Sequence, residues 1–191
     1  NPNGPWSLNE AGTPLIFVTW NESDWSIPQS GWAKAATGNS RLPVWFRSNG
    51  SETFSPDTLA GDIVVHSTDS FSGAGNGVAN VTWTSPVSGA ISISGGVWMP
   101  RDIGRSNDWK IYKNAVLLSS GSISSGDAFN RGTPFNFVAG TGGATSVQNI
   151  SVVLGDVIKL ELVRNASQPE VLGPIRLDME IDDFAMNTDA D

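Results

Sequence analysis

The chain of 191 residues contains no cysteine, which excludes thiol nucleophiles, CxxC sites and any disulfide framework. Its single histidine, His66, lies in "DIVVHSTDS". One histidine without cysteine is too few nitrogen and sulfur donors for the usual zinc site. A Ser-His-Asp triad would have to use the same residue, and no GxSxG elbow is present. His66 is therefore read as hydrogen-bonding on a sheet face. Charge is scarce as well, at 16% of residues against roughly 25% in an average soluble domain. Acids outnumber Lys and Arg by 19 to 11, for a net charge of -8. A phosphate-tracking surface needs clustered cations, so nucleic acid and anionic membrane are both poor partners. No run of about 18 apolar residues exists to enter a bilayer. The opening "NPNGPWS" lacks the basic and apolar regions of a signal peptide, so any export signal is expected to have been removed or to lie upstream.

What the chain has in place of charge is Ser, Thr, Asn and Gly. No segment keeps the 3.6-residue apolar period long enough for a substantial helix, whereas short β-branched and aromatic runs recur between turn residues. The pattern predicts strands at Pro14–Trp20, Leu42–Ser48, Asp62–Thr68, Val78–Thr84, Ala90–Met99, Trp109–Lys113, Val116–Ser119, Pro134–Val138, Val147–Leu154, Val157–Arg164 and Ile175–Phe184. Two turns have distinct chemistry: "KNAV" at Asn114 and "LGDV" at Gly155 each carry a residue that takes positive φ at low cost. So many strands in one chain favour an all-β fold, a two-sheet antiparallel β-sandwich of jelly-roll type, as a single module over residues 1–191. No repeat marks a propeller or solenoid. Five Asn-x-Ser/Thr sequons (Asn21, Asn49, Asn80, Asn149 and Asn165) compare with about three expected by chance in so polar a chain, and are read as composition.

Alternation along a strand assigns faces. Ile158, Leu160 and Leu162 point inward, and Lys159 and Glu161 point outward. Ile175, Leu177, Met179 and Ile181 form a core row, leaving Arg176, Asp178, Glu180 and Asp182 opposite. In "ISISGGVWM" Ile91, Ile93, Val97 and Met99 are core, which puts Trp98 among Ser92 and Ser94. Either Trp98 stands on a polar face, or a bulge at Gly95–Gly96 swings it into the core.

The segments "NPNGPWS", "VANVTWTSPVSGAISISG", "DWKIYKNAVLLSSGSI", "SVVLGDVIKLELV" and "LDMEI", in this order, are similar to a jelly-roll module of exported bacterial proteins. That module recurs in polysaccharide-degrading enzymes and in surface-sorted proteins. The resemblance covers most of the chain from Val78 onward plus the first seven residues. It implies a non-catalytic accessory domain, often glycan-binding, secreted or at the cell surface, monomeric and tethered to other domains. A tryptophan-bearing insert at about 21–41 departs from the pattern, and a function particular to this protein is expected there.

Eight tryptophans against one tyrosine fit that implication, because indole faces stack on the apolar faces of sugar rings. Trp83 and Trp109 share faces with core residues, and Trp6, Trp20 and Trp45 sit in apolar runs where packing is the default. Trp25 and Trp32 lie in a stretch that reads as loop, each either a small-cluster anchor or an exposed platform. With Trp98 they are the candidate sugar platforms. Arg101, Asp102 and Arg105 follow Trp98, and Arg176, Asp178 and Glu180 share an outward row. Such groups bond vicinal hydroxyls directionally, although a solvated row of ion pairs has the same alternation.

A structural calcium is the metal that the resemblance implies; calcium takes carboxylate and carbonyl oxygens, and the acidic run Asp178, Glu180, Asp182 and Asp183 offers one or two, with Asp178 and Asp182 as the candidate ligands. Glycoside hydrolysis needs only two facing carboxylates, but nothing in the pattern singles out a pair. The expected function is polysaccharide or oligosaccharide binding by tryptophan stacking plus Arg, Asp and Glu hydrogen bonds, without chemistry. The alternative is a structural or adhesion module of a surface protein with no glycan site. Exposure of Trp98, Trp25 and Trp32 discriminates the two.

Overall fold

A computed structural model describes residues 4–21, 27–37, 41–53, 58–67, 78–100 and 104–165, together with the backbone of 174–183. Among the described residues, fourteen strands form two antiparallel sheets. Sheet A has the order β10 (Val116–Ser124), β9 (Ser106–Lys113), β13 (Val157–Arg164), β7 (Ala79–Thr84), β1 (Trp6–Glu10) and β2 (Thr13–Pro14). Sheet B has the order β11 (Phe135–Asn136), β8 (Gly89–Trp98), β14 (Pro174–Asp183), β6 (Ile63–His66), β5 (Val44–Arg47), β4 (Gln29–Ala33) and β3 (Ile16–Trp20), with β12 (Ile150–Val152) also on β8. The only helical turns among the described residues are short 3-10 turns at Phe137–Ala139 and Ala144–Ser146. None of their helices is long and apolar enough to cross a membrane.

The two-sheet antiparallel arrangement is the one the alternation predicts. Inward rows of both sheets meet in one core, with Leu8, Val81, Trp83, Trp109, Ile111 and Leu160 from sheet A against Trp45, Val65, Ile91, Ile93 and Val97 from sheet B. The pairing is nested: β6 pairs with β14, β7 with β13, β8 with β12 and β9 with β10. Two strands have no counterpart in the sequence pattern. β1 "WSLNE" joins β7 in an unbroken register, and β4 "QSGWA" joins β3 and β5. Neither alternates convincingly, and both are strands because neighbours on either side supply ladder partners. Part of the segment 21–41 is therefore an internal strand of sheet B, which corrects its reading as a loop.

Segment Thr13–Trp20 belongs to both sheets. Its first part, β2, pairs with β1, the Leu15 N–H donates to the Leu8 carbonyl at 2.9 Å, and its second part, β3, pairs with β4. A strand that changes sheets makes a corner of the sandwich.

Trp109 shows how the core is filled. Its fully buried ring has Phe135 and Phe137 edge-on, at centroid distances of 5.2 and 5.3 Å. Gly121 and Gly140 lie where any Cβ would run into the indole. The two glycines are thus space-makers, on β10 and after the first 3-10 turn.

The two turns with distinct chemistry are joined. Asn114 has φ 54° and Gly155 has φ 90°. The Asp156 carboxylate accepts from the Asn114 amide at 2.9 Å and the Val153 N–H at 2.9 Å, and pairs with Lys113 Nζ at 3.1 Å. The Val157 N–H donates to Asn114 Oδ1 at 2.9 Å. These hydrogen bonds, the Asn114 amide first, then Val153 N–H and Lys113, hold the carboxyl down at about 2 from its ordinary 3.8.

Two outcomes follow from this packing. Gly140→Ala presses a methyl group on Trp109 and Ser119 and is expected to lower unfolding free energy by about 1–3 kcal/mol in urea titration. For Asp156 the folded pKa is the lower one, so its stabilisation is complete above the unfolded value and is lost as pH falls from 3.8 toward 2. Asp156→Asn should therefore narrow the gap between wild-type and variant urea midpoints at about pH 2.5 relative to neutral pH; an unchanged gap would count against the clasp.

Candidate functional site

The first expected platform, Trp98, is decided by register. β8 and β14 pair without a shift from Ile91 opposite Asp183 to Trp98 opposite Arg176. The glycines do not bulge, and the alternation runs through them. Gly96 is small because a Cβ would meet the Phe135 carbonyl and Pro134. Ile91, Ile93 and Val97 face the core, and Trp98 faces away from sheet A. Even so, only 4% of Trp98 is exposed. The Arg131 guanidinium lies 5.8 Å from its ring centroid and bonds Asp62 at 2.6 Å.

The reason lies in the strands beyond β14. Register carries the Trp98 row through Arg176 to Val64, Phe46, Gly31 and Val18. Val18, Trp20, Ala33, Leu42, Val44, Phe46 and Val64 make a second buried apolar cluster on this far side of sheet B. Gln29 Nε2 and Ser48 Oγ both donate to the buried Glu52 carboxylate there, at 2.7 and 2.6 Å. Sheet B is buried on both faces at β5 and β6, so Trp98 is a packing residue, and the exposed-platform expectation is corrected. The sequence signal was available: "VWF" and "IVV" are continuous apolar runs, the pattern of two-sided burial.

The remaining expected residues are dispersed. Trp32 is half-buried on the face toward sheet A, with Phe17 edge-on at 5.7 Å. Arg105, just before β9, is buried, and its backbone N–H donates to Ser125 Oγ at 2.8 Å. Trp25, Arg101 and Asp102 lie outside the described residues. Arg176, Asp178, Glu180 and Asp182 are placed by backbone register alone, opposite Trp98, Gly96, Ser94 and Ser92. Asp178 and Asp182 are four residues apart on one extended strand, about 13 Å between Cα atoms.

The outward face of sheet A carries a groove of about 520 Å³. Its floor is Asn80 and Thr82 of β7, one wall is Asn9 with the β1–β2 turn, and the other is Lys159 and Glu161 of β13. Register puts Asn9, Asn80 and Glu161 in one cross-strand row, and Thr82 and Lys159 in the next with Tyr112 of β9. Asn80 is fully buried although it points away from the core, because the β1–β2 turn closes over it. Its Nδ2 donates to the Ala11 carbonyl at 2.7 Å. Asn9 Nδ2 lies 3.2 Å from both Asn80 Oδ1 and Thr82 Oγ1, and Ser7 Oγ donates to Asn9 Oδ1 at 2.7 Å.

Lys159 and Glu161 form an ion pair, and the ammonium sits 4.7 Å from the Tyr112 ring centroid. Burial raises the Tyr112 pKa, and the Glu161 charge and its hydrogen bond to the phenol add to that. Glu161 is the one carboxylate among the described residues lining the groove. The arrangement offers hydroxyl, ammonium and carboxylate groups at fixed positions, with charges balanced locally, while the buried Asn9 and Asn80 amides are taken up by bonds within the protein.

No protein-family model matches the chain, and no curated protein matches it.

Tyr112 is the only tyrosine, so tyrosinate absorbance titrates it alone. Glu161→Gln should move its midpoint down toward the ordinary value of 10.0 without abolishing the part due to burial. An unmoved midpoint would remove Glu161 from contact with the phenol.

Proposed function

We propose that the protein is a non-catalytic carbohydrate-binding module whose glycan lies in the sheet A groove. The observation that carries this reading is the placing of Thr82, Lys159 and Glu161 in two adjacent cross-strand rows along an open groove of sheet A. Vicinal hydroxyls donate and accept at once, and hydroxyl, ammonium and carboxylate groups at fixed spacing match them. Local charge balance favours a neutral polysaccharide or oligosaccharide, and the chain's net charge of -8 disfavours an anionic one. Nested strand pairing supports the jelly-roll wrapping that this reading includes. The reading also includes placement outside the cell, tethered to a glycan-active enzyme, where a weak module acts by raising local concentration.

Aromatic stacking is a smaller part of this mechanism than the tryptophan count implied. Trp98 is sealed, and Lys159 covers one face of Tyr112. The sealing of Trp98 favours a second reading, a structural or adhesion module with no glycan site.

Affinity electrophoresis on plant, algal and microbial polysaccharides separates the two. Wild type should be retarded on at least one gel, and Glu161→Ala should bind that polysaccharide roughly tenfold more weakly, the worth of one hydrogen bond to a charged group. No retardation on any gel leaves the structural module. Retardation unchanged in Glu161→Ala and in Thr82→Ala would move the glycan away from the groove.

A further inference from the structure

The loop that follows β5 contains a hydrogen-bonded chain of groups that the groove does not use. It is built on "SNGSE", Ser48 to Glu52. The Gly50 N–H donates to Ser48 Oγ at 2.9 Å, and the Ser48 hydroxyl donates in turn to Glu52 Oε2 at 2.6 Å. Ser48 and Glu52 are both buried, and Gln29 Nε2 holds the other carboxylate oxygen at 2.7 Å. The proton on the Gly50 nitrogen therefore stands at the head of a path that ends on a fixed carboxylate.

Asn49 lies between these groups, exposed but held at three points. Its Oδ1 accepts from the Ser51 N–H at 3.0 Å, its Nδ2 donates to the Pro28 carbonyl at 3.4 Å, and its backbone N–H donates to Gln29 Oε1 at 2.9 Å. The bond from Ser51 closes a ring of atoms that includes the Gly50 nitrogen, so the side-chain amide folds back over the Asn49–Gly50 peptide. A backbone N–H aimed at the amide oxygen stabilises the negative charge that forms there when the amide carbon is attacked. Gly50, at φ 80°, has no side chain to shield its nitrogen.

We propose that Asn49 deamidates itself in the folded protein, with the Gly50 nitrogen as nucleophile, Ser48 and Glu52 as proton relay and the Ser51 N–H as oxyanion donor. The step balances without a cofactor. The Gly50 nitrogen bonds Asn49 Cγ and gives its proton to Ser48 Oγ, whose own proton passes to Glu52. The Cγ–Nδ2 bond then breaks, and ammonia leaves with the proton returned through the same relay. Water opens the five-membered imide at either carbonyl, leaving an aspartyl or isoaspartyl residue at position 49. Each molecule so altered carries one more negative charge beside Glu52. The isoaspartyl form also adds a methylene to the backbone of a loop so close-packed that a Cβ on Gly50 would come within 3.2 Å of the Ala60 nitrogen. None of these residues lines the groove, so the modification does not depend on glycan binding.

Peptide mapping by mass spectrometry follows the one-dalton gain at position 49 in the whole protein kept near neutral pH, beside a capped peptide of sequence RSNGSET. Conversion is expected to run about tenfold faster in the folded protein than in the peptide, below the full effect of a well-placed proton acceptor. Ser48→Ala and Glu52→Gln should each bring the rate down to that of the peptide or lower, whereas Ser48→Thr, which keeps the hydroxyl, should hold it. Circular dichroism identifies which variants fold, and if none does, folded wild type against peptide decides alone. Folded protein that converts no faster than the peptide, or a folded Ser48→Ala or Glu52→Gln variant that converts as fast as wild type, would overturn the proposal.

Discussion

Sheet B is apolar on both faces along β5 and β6, and much of the molecule follows from that. One face completes the core shared with sheet A. The other has to be covered too, and the buried Glu52–Gln29–Ser48 bonds and the Arg41 guanidinium 4.4 Å from the Trp20 ring lie on that side. Burying a carboxylate is costly unless it is well bonded, and Glu52 accepts from two donors. Polar residues there serve to close a second layer, which leaves the outward face of sheet A as the open polar surface.

Strands whose one-sided burial shows as regular alternation were legible. β13 and β7 alternate as predicted, with Leu160 and Trp83 in the core and Lys159 and Thr82 in the groove. The two turns were legible because positive φ selects Gly and Asn, and Gly155 and Asn114 are where that chemistry put them. β1 and β4 were not, because "WSLNE" and "QSGWA" owe their conformation to neighbours distant in sequence. Trp98 was misplaced for a related reason. Alternation named its face correctly, but whether that face is wet depends on β6 and β5, strands that no local window connects to it.

The groove lay beyond sequence reasoning for the same cause. Asn9 and Asn80 are 71 positions apart, and Lys159 lies further still along the chain. Each alone reads as an ordinary outward polar residue. Only the nesting of β7 between β1 and β13 turns them into a surface. The glycan reading consequently rests on hydrogen-bonding geometry rather than on tryptophan, although tryptophan first suggested it.

The segment Thr13–Trp20 has a mechanical consequence. Because one continuous strand is hydrogen-bonded into both sheets, the two layers cannot shear past one another at that corner without breaking a ladder. The exposed Lys34 ammonium, 3.0 Å from Glu10, ties the same corner again. The corner is thus a spine of the sandwich, and a force pulling on the chain there would load the ladders of both sheets at once.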